Sequence, residues 1–454
     1  MRRLQGALTA FAIAFSGPAA AAEITRVASS GDPGNPLDLD LSVGWQRFQE
    51  RATITRETAA GTGGGAVVEH EELRFGRSRN AVVPRVAIGL WKDLELHAQM
   101  PYVLNDDNTW RFGVLYDKPT GGIPGSTSSI ENNSIDADGR PCTAPPGAPP
   151  CPLFAVAPDT TVYHGGRVGD LEVGLAWGIF NDRKDDTKPF WVVGMDITFP
   201  TAKAYDPAAH RDDPTLAAPW HSPYLEANPG PFGEKIWKWD LYTALSRRVG
   251  PIEPYVKAHG TAMFKSSATY SNCDNAERLQ ALGQMNSLAV QNCASWGDDA
   301  GAKLPWVAGL TLGTEIVPYE DVAEGQRVSL DVRLFGDYTS SHRFFNELTD
   351  ATGKILQTEG YLTMGGLVGL YLHASSYVSL QATASLATRT SHYLTGESLG
   401  RNGSWPALDP VTGLTADAAA MNPNFDWRYD APGRRFRISE VSVFELGFAG
   451  VLHF

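Results

Sequence analysis

Residues 396–400 read Gly-Glu-Ser-Leu-Gly, the Gly-x-Ser-x-Gly pattern in which many hydrolases carry a nucleophilic serine. That chemistry requires a sharp turn from a strand into a helix, which exposes the serine hydroxyl beside backbone donors. Residues 401–406 read Arg-Asn-Gly-Ser-Trp-Pro and predict a loop instead of a helix. His392 and Asp409 are close in the sequence, but the pattern predicts no catalytic residue, and we expect a protein that is not an enzyme.

A metal site is not predicted either, although two groups of residues carry suitable atoms. Asp106, Asp107 and Asn108 offer oxygen ligands of the kind that Ca²⁺ prefers, but such clusters are most often solvated turns. The four cysteines lack the Cys-x-x-Cys spacing of zinc sites. We therefore expect neither a metal ion nor another cofactor.

The cysteines instead predict disulfides. Cys142 and Cys151 lie in one Pro-rich segment, and Cys273 and Cys293 lie in one polar segment. Four cysteines allow three connectivities, and the short separations favour Cys142–Cys151 and Cys273–Cys293. Disulfides form in oxidising compartments, so this prediction requires an exported protein.

The N-terminus predicts export. Two arginines precede a short apolar run and a row of alanines that ends at Ala22, which is the pattern of a secretory signal peptide. We predict that residues 1–22 are this leader, with cleavage after Ala22. Residues 23–36 are predicted to be a short periplasmic segment, too short to fold as a plug.

The composition excludes three classes of protein. With 454 residues, 43% of them apolar and 20% charged, the chain is not disordered. After the N-terminus it has no run of about 18 apolar residues, which excludes a helical membrane protein. A formal net charge of −13 argues against nucleic acid as a partner.

Alternation with a period of two is the dominant pattern along the chain and predicts β-strands. In residues 171–179, for example, large apolar residues alternate with small or charged ones. Twelve segments are predicted as strands: 37–56, 66–90, 94–104, 166–180, 189–200, 235–248, 252–265, 304–317, 327–339, 359–372, 376–392 and 432–454.

The connections between these strands alternate between short and long. The long ones are 105–165, 201–234, 266–303, 340–358 and 393–431, all rich in Gly, Pro, Asn, Asp and Ser. Outer-membrane barrels are built with short periplasmic turns and long extracellular loops, whereas a soluble sandwich has no reason to alternate in this way. The sequence therefore predicts an all-β fold, a transmembrane antiparallel up-and-down barrel over residues 37–454 with these loops outside the cell.

The number of strands depends on residues 66–90. This segment is longer than the roughly 9–11 residues that cross a membrane, and it contains Pro84, which is unusual inside a strand. Splitting it alone would give an odd number and put the two termini on opposite sides. We predict one long strand, perturbed near residues 76–80, and hence twelve strands, with fourteen as the alternative.

The last strand ends on an aromatic residue. Phe444, Leu446, Phe448, Leu452 and Phe454 are apolar at alternate positions up to the C-terminus. This pattern resembles the signal by which the assembly machinery of the Gram-negative outer membrane recognises barrels. It predicts that machinery and the outer-membrane lipids as partners.

A family resemblance covers roughly residues 165–260. Residues 169–175 read Gly-Asp-Leu-Glu-Val-Gly-Leu, residues 191–201 end in Phe-Pro-Thr, and residues 246–250 form a Ser-Arg-Arg-Val-Gly turn. These segments resemble the outer-membrane proteins associated with the meta-pathway of phenol degradation, although Ala202 replaces the usual glycine. The resemblance implies a barrel that passes hydrophobic or aromatic compounds.

If the large apolar residues face lipid, the alternate residues face the lumen. The predicted channel-lining residues are Arg85, Glu95, His97, Asp170, Glu172, Asp196, Lys238, Asp240, Glu253, Lys257, His259, Glu315, Asp331, Arg333, Asp337, Arg389 and Glu445. Asp38, Asp40, Arg435 and Arg437 have the same parity, which gives seven Lys and Arg against twelve Asp and Glu. Such a wall either forms a closed polar network or lines a pore that prefers cations.

The function predicted from these observations is passive passage of a small-molecule solute, with hydrophobic or aromatic compounds as the candidates that the resemblance implies. Two alternatives remain: a surface-exposed interaction or structural barrel without an open pore, and an outer-membrane lipid hydrolase. The pattern favours no particular oligomeric state.

Overall fold

The computed structural model describes most of the chain. The described residues are 22–30, 37–59, 67–113, 129–130, 135–141, 153–156, 158–182, 185, 187–211, 224, 226–281, 283–286, 289–401 and 420–454. Within them, every helix is too short or too polar to cross a membrane. The predicted leader, apart from Ala22, and the predicted Cys142–Cys151 bond lie outside the described residues.

Strands dominate the described chain, and the helices are short. The strands are β1 (Leu39–Ala59), β2 (Val67–Trp91), β3 (Leu94–Gln99), β4 (Tyr102–Phe112), β5 (Thr160–Val168), β6 (Leu171–Phe180), β7 (Phe190–Phe199), β8 (Ile236–Ser246), β9 (Ile252–Lys265), β10 (Trp306–Asp321), β11 (Gln326–Thr339), β12 (His342–Phe344), β13 (Leu356–Thr358), β14 (Tyr361–Ser375), β15 (Val378–Arg389), β16 (His392–Tyr393) and β17 (Phe436–His453). The α-helices are α1 (Ala276–Ala281), α2 (Ala289–Trp296) and α3 (Thr349–Thr352).

The strands close into a barrel of twelve antiparallel strands. Each strand pairs with the next along the chain, and β1 pairs with both β2 and β17, so the sheet has no free edge. β3 and β4 are halves of one barrel strand, as are β5 and β6. The prediction of twelve strands is therefore confirmed over the alternative of fourteen.

The long second strand is continuous, as predicted. β2 pairs with β1 along its whole length, and its ladder with β4 shifts register between Asn80 and Ala81. Pro84 lies where the neighbouring strand is itself interrupted at Met100 and Pro101, between β3 and β4. A proline without an N–H donor fits here because the regular ladder is already broken.

The two rims of the barrel differ in their connections. On one rim, here called the turn rim, β1 begins beside the end of β17, with Leu39 N donating to Phe454 O at 3.1 Å. The tight connections, such as residues 92–93 and 322–325, lie on this rim. The long connections lie on the opposite rim, here called the loop rim, so the predicted alternation holds.

Parity along the strands also follows the prediction. Leu175, Trp177, Leu241, Leu310 and Leu334 lie on the outer face, where each keeps between 42% and 68% of its surface exposed. An irregularity in β17 breaks the parity near the loop rim, where Glu440 has a φ of 52°.

Because of that irregularity, the inward prediction for Arg437 is wrong. Phe436 and Ile438 occupy the buried side instead. Arg437 pairs on the outside with Glu69, with 2.9 Å between nitrogen and oxygen.

The long loops fold over the loop rim into a cap, formed by the described residues of the connections between β4 and β5, β7 and β8, β9 and β10, β11 and β14, and β15 and β17. Phe154, Leu348 and Tyr429 come from three of these connections and share one buried apolar cluster with residues of the barrel wall. The predicted disulfide Cys273–Cys293 is present in this cap, with its Cα atoms 5.6 Å apart. The loops are therefore a packed structure rather than open excursions.

Candidate functional site

The middle of the inner wall carries a chain of alternating charges. Arg85 lies 2.9 Å from Glu95, Glu95 lies 3.0 Å from Nδ1 of His97, and Nε2 of His97 lies 3.0 Å from Asp196. The neighbouring Gly174 makes this contact possible, because a Cβ there would lie 2.0 Å from Asp196. The strand pattern placed these residues on one face, and the structure brings four of them into one network.

A second network lies further round the wall. Asp331 accepts a hydrogen bond from the Tyr255 hydroxyl at 2.5 Å and also pairs with Arg333, whose guanidinium donates to the Tyr371 hydroxyl at 3.0 Å. His259 lies 3.7 Å from Asp337. Ion pairs in a confined space need such additional hydrogen bonds, because an unpaired buried charge is strongly unfavourable.

His97, Glu172 and Asp196 are the described residues that come nearest to a metal-binding set. Their ligand atoms lie within 4.8 Å of one another. Both ring nitrogens of His97 already lie 3.0 Å from carboxylates, those of Glu95 and Asp196. His97 and Asp196 thus belong to the ion-pair network of the wall, whereas Glu172 accepts a hydrogen bond from the neutral Gln99.

Residues 22–30 of the N-terminal segment lie inside the barrel at the turn rim, so this described part of the segment predicted over residues 23–36 contacts the inner wall. Ala28 N donates to Glu95 at 2.7 Å, and the hydroxyls of Thr25 and Ser246 are 2.9 Å apart. Ser30 pairs through its backbone with Lys92 in the first tight turn. Inward carboxylates and hydroxyls satisfy the polar groups of the segment, which explains why so short a stretch can cross the lumen.

Charged contacts fix the same segment on its other side. Arg26 lies 3.1 Å from Asp40 of β1, and Glu23 lies 2.8 Å from Nε2 of His373 in β14. Residues 22–30 thus reach strands on several sides of the barrel and form what is called here the floor. The floor narrows the lumen at the turn rim to a cavity of about 220 Å³.

A larger cavity of about 650 Å³ lies between the floor and the cap. Gln46, Val83 and Gln99 line both cavities, so the two follow one another along the wall of β1, β2 and β3. Loop residues close the large cavity above, among them Tyr205, Phe345 and Glu347. The lumen therefore contains two neighbouring polar cavities and is obstructed at both ends.

Most charges around the large cavity are paired. Arg77 binds Asp106 through two hydrogen bonds of 2.7 Å. Arg389 of β15 lies between Glu50 and Glu347, at 2.7 Å and 2.9 Å. Asp106 is 3% exposed within β4, so the prediction of a solvated turn at this position is wrong.

Three carboxylates at the large cavity contact neutral groups only. Asp170 accepts the backbone N–H of Ala202 at 2.8 Å, and Glu172 accepts a hydrogen bond from Gln99 at 2.7 Å. Glu445 lies 3.4 Å from the Ser385 hydroxyl. Among the described residues none of the three has an ion-pair partner, which leaves the cavity with surplus negative charge.

The predicted lining residues fall into three groups by height. Nearest the floor lie Arg85, Glu95, Glu253 and Glu315; in the middle lie His97, Asp196, Asp240, Lys257, His259, Asp331, Arg333 and Asp337; at the large cavity lie Asp170, Glu172, Lys238, Arg389 and Glu445.

The sequence reading missed Glu50, Arg77, Arg79 and Asp106, which also line the large cavity. Glu50 lies inside the predicted strand 37–56, Arg77 and Arg79 lie in the segment predicted to be perturbed, and Asp106 lies beyond the predicted strand 94–104. Glu50 has the same parity as Phe48, and Arg77 and Arg79 have the same parity as Phe75, which was the signal that could have located them.

Neither serine that resembles a hydrolase nucleophile is free to act. Ser398 donates to Gly400 O at 2.8 Å within its own loop. Ser379 lies 2.6 Å from Nε2 of His453, and Nδ1 of His453 contacts Asp40, the order of groups found in serine hydrolases. Ser379 is only 1% exposed, however, so its hydroxyl has no room for a substrate, and Arg26 of the floor contacts Nδ1 of the same histidine at 2.9 Å.

Comparison with solved structures returned barrels of low similarity. An outer membrane channel from Pseudomonas putida F1 is 12% identical over 91% of this chain and 95% of that chain, with a TM-score of 0.39. A FadL homologue from Pseudomonas aeruginosa is 8% identical over 92% of this chain and 90% of that chain, with a TM-score of 0.33. The outer membrane protease OmpT from Escherichia coli is 9% identical over 92% of this chain and 96% of that chain, with a TM-score of 0.27.

Similarity at this level carries no inference about what the chain binds. No family model and no curated protein sequence matches the chain. The resemblance to the phenol-degradation family therefore remains a prediction.

Proposed function

We propose that the chain is an outer-membrane channel for the passive passage of small polar solutes. The observation that carries this proposal is the polar cavity of about 650 Å³ inside a closed wall of strands, with a smaller cavity next to it at the floor. Charged side chains surround this space, and a purely structural barrel has no need of a large polar internal cavity.

The outer face supports a position in a membrane. Leu241, Leu334 and Phe448, on different strands, each expose half or more of their surface on the outside of the barrel. Each of the twelve barrel strands pairs on both sides, which is the condition for crossing lipid without unsatisfied backbone groups. We infer that the turn rim faces the periplasm, the loop rim faces outward, and the terminal aromatic pattern engages the assembly machinery.

The cavity favours a positively charged or zwitterionic solute over a purely hydrophobic one. Asp170, Glu172 and Glu445 supply negative charge without an ion pair to any described cation, and Arg79 is an additional cation on the same lining. Phe48 and Phe345 on the same lining offer aromatic surfaces. An aromatic compound that carries an ammonium group matches both features, because an aromatic ring packs on the apolar surface while the charge meets the carboxylates.

A structural or interaction barrel without an open pore is the second candidate, and one observation favours it. The floor and the cap both obstruct the lumen in this structure. The two candidates differ in whether the obstructions open, since a channel needs a conducting state.

Planar-bilayer recordings of the purified protein separate these candidates. We expect discrete conductance steps and, across a salt gradient, a reversal potential that indicates cation preference, because confined surplus charge selects ions of opposite sign. Folding is checked beforehand by the shift in gel mobility between boiled and unboiled samples. A correctly folded barrel without conductance would overturn the channel proposal and leave the closed barrel.

A further inference from the structure

Two buried carboxylates converge on the backbone nitrogens at the start of the floor. Oε1 of Glu253 in β9 lies 2.6 Å from Ala22 N, and Oε2 of Glu315 in β10 lies 2.8 Å from Glu23 N. Glu253 is 0% exposed and Glu315 is 1% exposed. Backbone amides thus point at negative charges in the least accessible part of the lumen.

The charges at this point do not balance. Glu315 pairs with Arg327, with 2.7 Å between oxygen and nitrogen. Glu253 accepts a hydrogen bond from the Ser246 hydroxyl at 2.7 Å, and its Oε2 has no hydrogen-bond partner among the described residues. A buried carboxylate that meets only neutral donors costs free energy, which a neighbouring cation would offset.

We propose that Glu253 and Glu315 form the binding site for the α-ammonium group of the chain's own mature N-terminus. The reaction that creates this ligand is hydrolysis of the Ala22–Glu23 peptide bond by a periplasmic signal peptidase. Water supplies the hydroxyl of the new Ala22 carboxyl group, which leaves with the leader. The released amine of Glu23 takes up a proton and becomes an ammonium at the position where the structure already places its nitrogen.

Cleavage changes the chemistry of this contact. Before cleavage Glu23 N is a neutral amide with one N–H donor, whereas afterwards it carries a positive charge and three donors. A charge-assisted hydrogen bond is roughly twice as strong as a neutral one. The removal of Ala22 also opens the space beside Glu253, so that one ammonium can serve both carboxylates.

The site gives leader removal a structural consequence. Glu23 also contacts His373, and Arg26 contacts Asp40, so an anchored terminus aligns the rest of the floor with the opposite wall. With the leader attached, the chain would continue past Ala22, which is fully buried between strands of the barrel. In this structure the floor is docked with Ala22 still joined to Glu23, and cleavage adds the positive charge that strengthens its anchor.

Amine-selective acylation of the folded, detergent-solubilised mature protein tests this proposal. Mass spectrometry first identifies the N-terminal residue and then follows modification of its α-amine as a function of pH. In the wild-type barrel we expect this amine to react at least about tenfold more slowly than in the double variant Glu253→Gln/Glu315→Gln. We also expect the pH of half-maximal reactivity to lie about one unit higher in the wild type, because paired carboxylates stabilise the ammonium.

Two further variants complete the design. Glu57→Gln is the matched control, because Glu57 is a buried carboxylate paired with Arg435 near the loop rim, far from the floor; it should leave the reactivity unchanged. Insertion of Gly-Ser between Ala22 and Glu23 shifts the terminus without touching the barrel wall and should expose the amine even if the double variant does not fold.

Each outcome decides the question. A mature terminus at a residue other than Glu23, or equal reactivity in the wild type and the insertion variant, would overturn the proposal. Slow reactivity with a pH profile that neither variant shifts would show burial without charge recognition and would overturn it as well. None of these readouts requires conductance, so this site and the channel proposal can fail independently.

Discussion

The floor and the cap both obstruct the lumen, but they are built from different interactions. The floor is a single stretch, residues 22–30, held to the wall by hydrogen bonds and ion pairs, with Val27 packed on a small apolar cluster of the wall. The cap combines an apolar cluster that includes Phe154, Leu348 and Tyr429 with a disulfide. Separating the floor exposes polar groups that water can solvate, so the net free-energy cost is small, whereas separating the cap exposes buried apolar surface.

Because of this difference, we expect the floor and the cap to differ in how easily they separate from the barrel wall. The floor can leave the wall when a few charged contacts are lost, so it is suited to open and close. The cap behaves as a folded unit whose separation resembles local unfolding. The predictions below test that assignment at each end.

The largest effect is expected on the stability of the cap, from the substitution Arg343→Met. Arg343 is 1% exposed, pairs with Glu397 and donates to Asp299 O at 2.7 Å and Gly301 O at 2.9 Å. Its loss leaves Glu397 buried without its cation, which should lower the free energy of unfolding by about 3–5 kcal/mol. Urea unfolding of the detergent-solubilised protein, followed by tryptophan fluorescence, measures the change.

The matched control for this prediction is Arg401→Met. Arg401 pairs with Asp299 in the same cap, but the two side chains are 47% and 62% exposed. An exposed pair contributes less than about 1 kcal/mol. Equal losses in the two variants would contradict the view of the cap as a buried, folded unit.

The architecture of the barrel could be predicted from the sequence because it is repetitive. Alternation along each strand and the alternating lengths of the connections are properties of neighbouring residues, and they recur around the barrel. They were enough to predict the number of strands, the position of the termini on one rim and the outward face. The inward prediction for Arg437 was wrong because the irregularity at Glu440 changes the parity of the strand, and no periodic pattern in the sequence marks it.

The floor and the cap could not be predicted in this way, because their contacts join residues far apart in the chain. Ala28 contacts Glu95, and Glu23 contacts His373, across spacings that no local pattern records. In the cap, Lys354 and Arg428 both reach Asp426 in a fully buried cluster, although polar loops usually predict exposure. The excess of inward carboxylates over inward cations was the single indication in the sequence that residues outside the strands had to supply cationic partners.

A smaller effect is expected at the floor from Arg26→Met. Arg26 is the floor residue that contacts both Asp40 and His453, and each hydrogen bond to a charged group contributes about 1.5–3 kcal/mol. Loss of even the lower value should raise the open population, and hence the mean conductance in planar bilayers, by about tenfold.

Arg248→Met serves as the control for the floor. Arg248 pairs with Glu320 at the same rim, with 2.8 Å between nitrogen and oxygen, and has no recorded contact with residues 22–30. We expect wild-type conductance from it. If both variants conduct like the wild type, the floor is not the movable closure.

Asp430 is expected to make the stability of the cap depend on pH, with an effect of intermediate size. Burial, together with the neighbouring Glu397, raises the pKa of Asp430 from its ordinary value of 3.8 to about 7. Because the folded state holds this proton more tightly than the unfolded state, the contribution to stability is complete below pH 3.8. It is lost as the pH rises through 7.

Limited proteolysis of the cap checks this linkage. The quantity to follow is the rate of proteolytic cleavage of the cap in the wild type, divided by the same rate in Asp430→Asn. Between pH 5 and pH 7 this ratio should rise with pH. The rise should be at most about tenfold per pH unit, because a single proton is involved. Normalising to the variant removes the pH dependence of the protease itself. A ratio that does not change with pH would mean that Asp430 is ionised throughout this range.

The smallest effect is expected on ion selectivity, from carboxylates of the barrel wall between the floor and the cap. The prediction compares a carboxylate without an ion pair to a carboxylate that has one. Glu445 meets only the Ser385 hydroxyl, whereas Asp196 lies 3.0 Å from Nε2 of His97. Removing the unpaired charge with Glu445→Gln reduces the surplus that attracts cations, and we expect the cation-to-anion permeability ratio to fall by about twofold. Asp196→Asn should change the ratio less, because the charge that it removes is paired with His97. Reversal potentials across a salt gradient measure both variants. A larger change from Asp196→Asn would show that selectivity arises in the middle of the wall, and not at the large cavity.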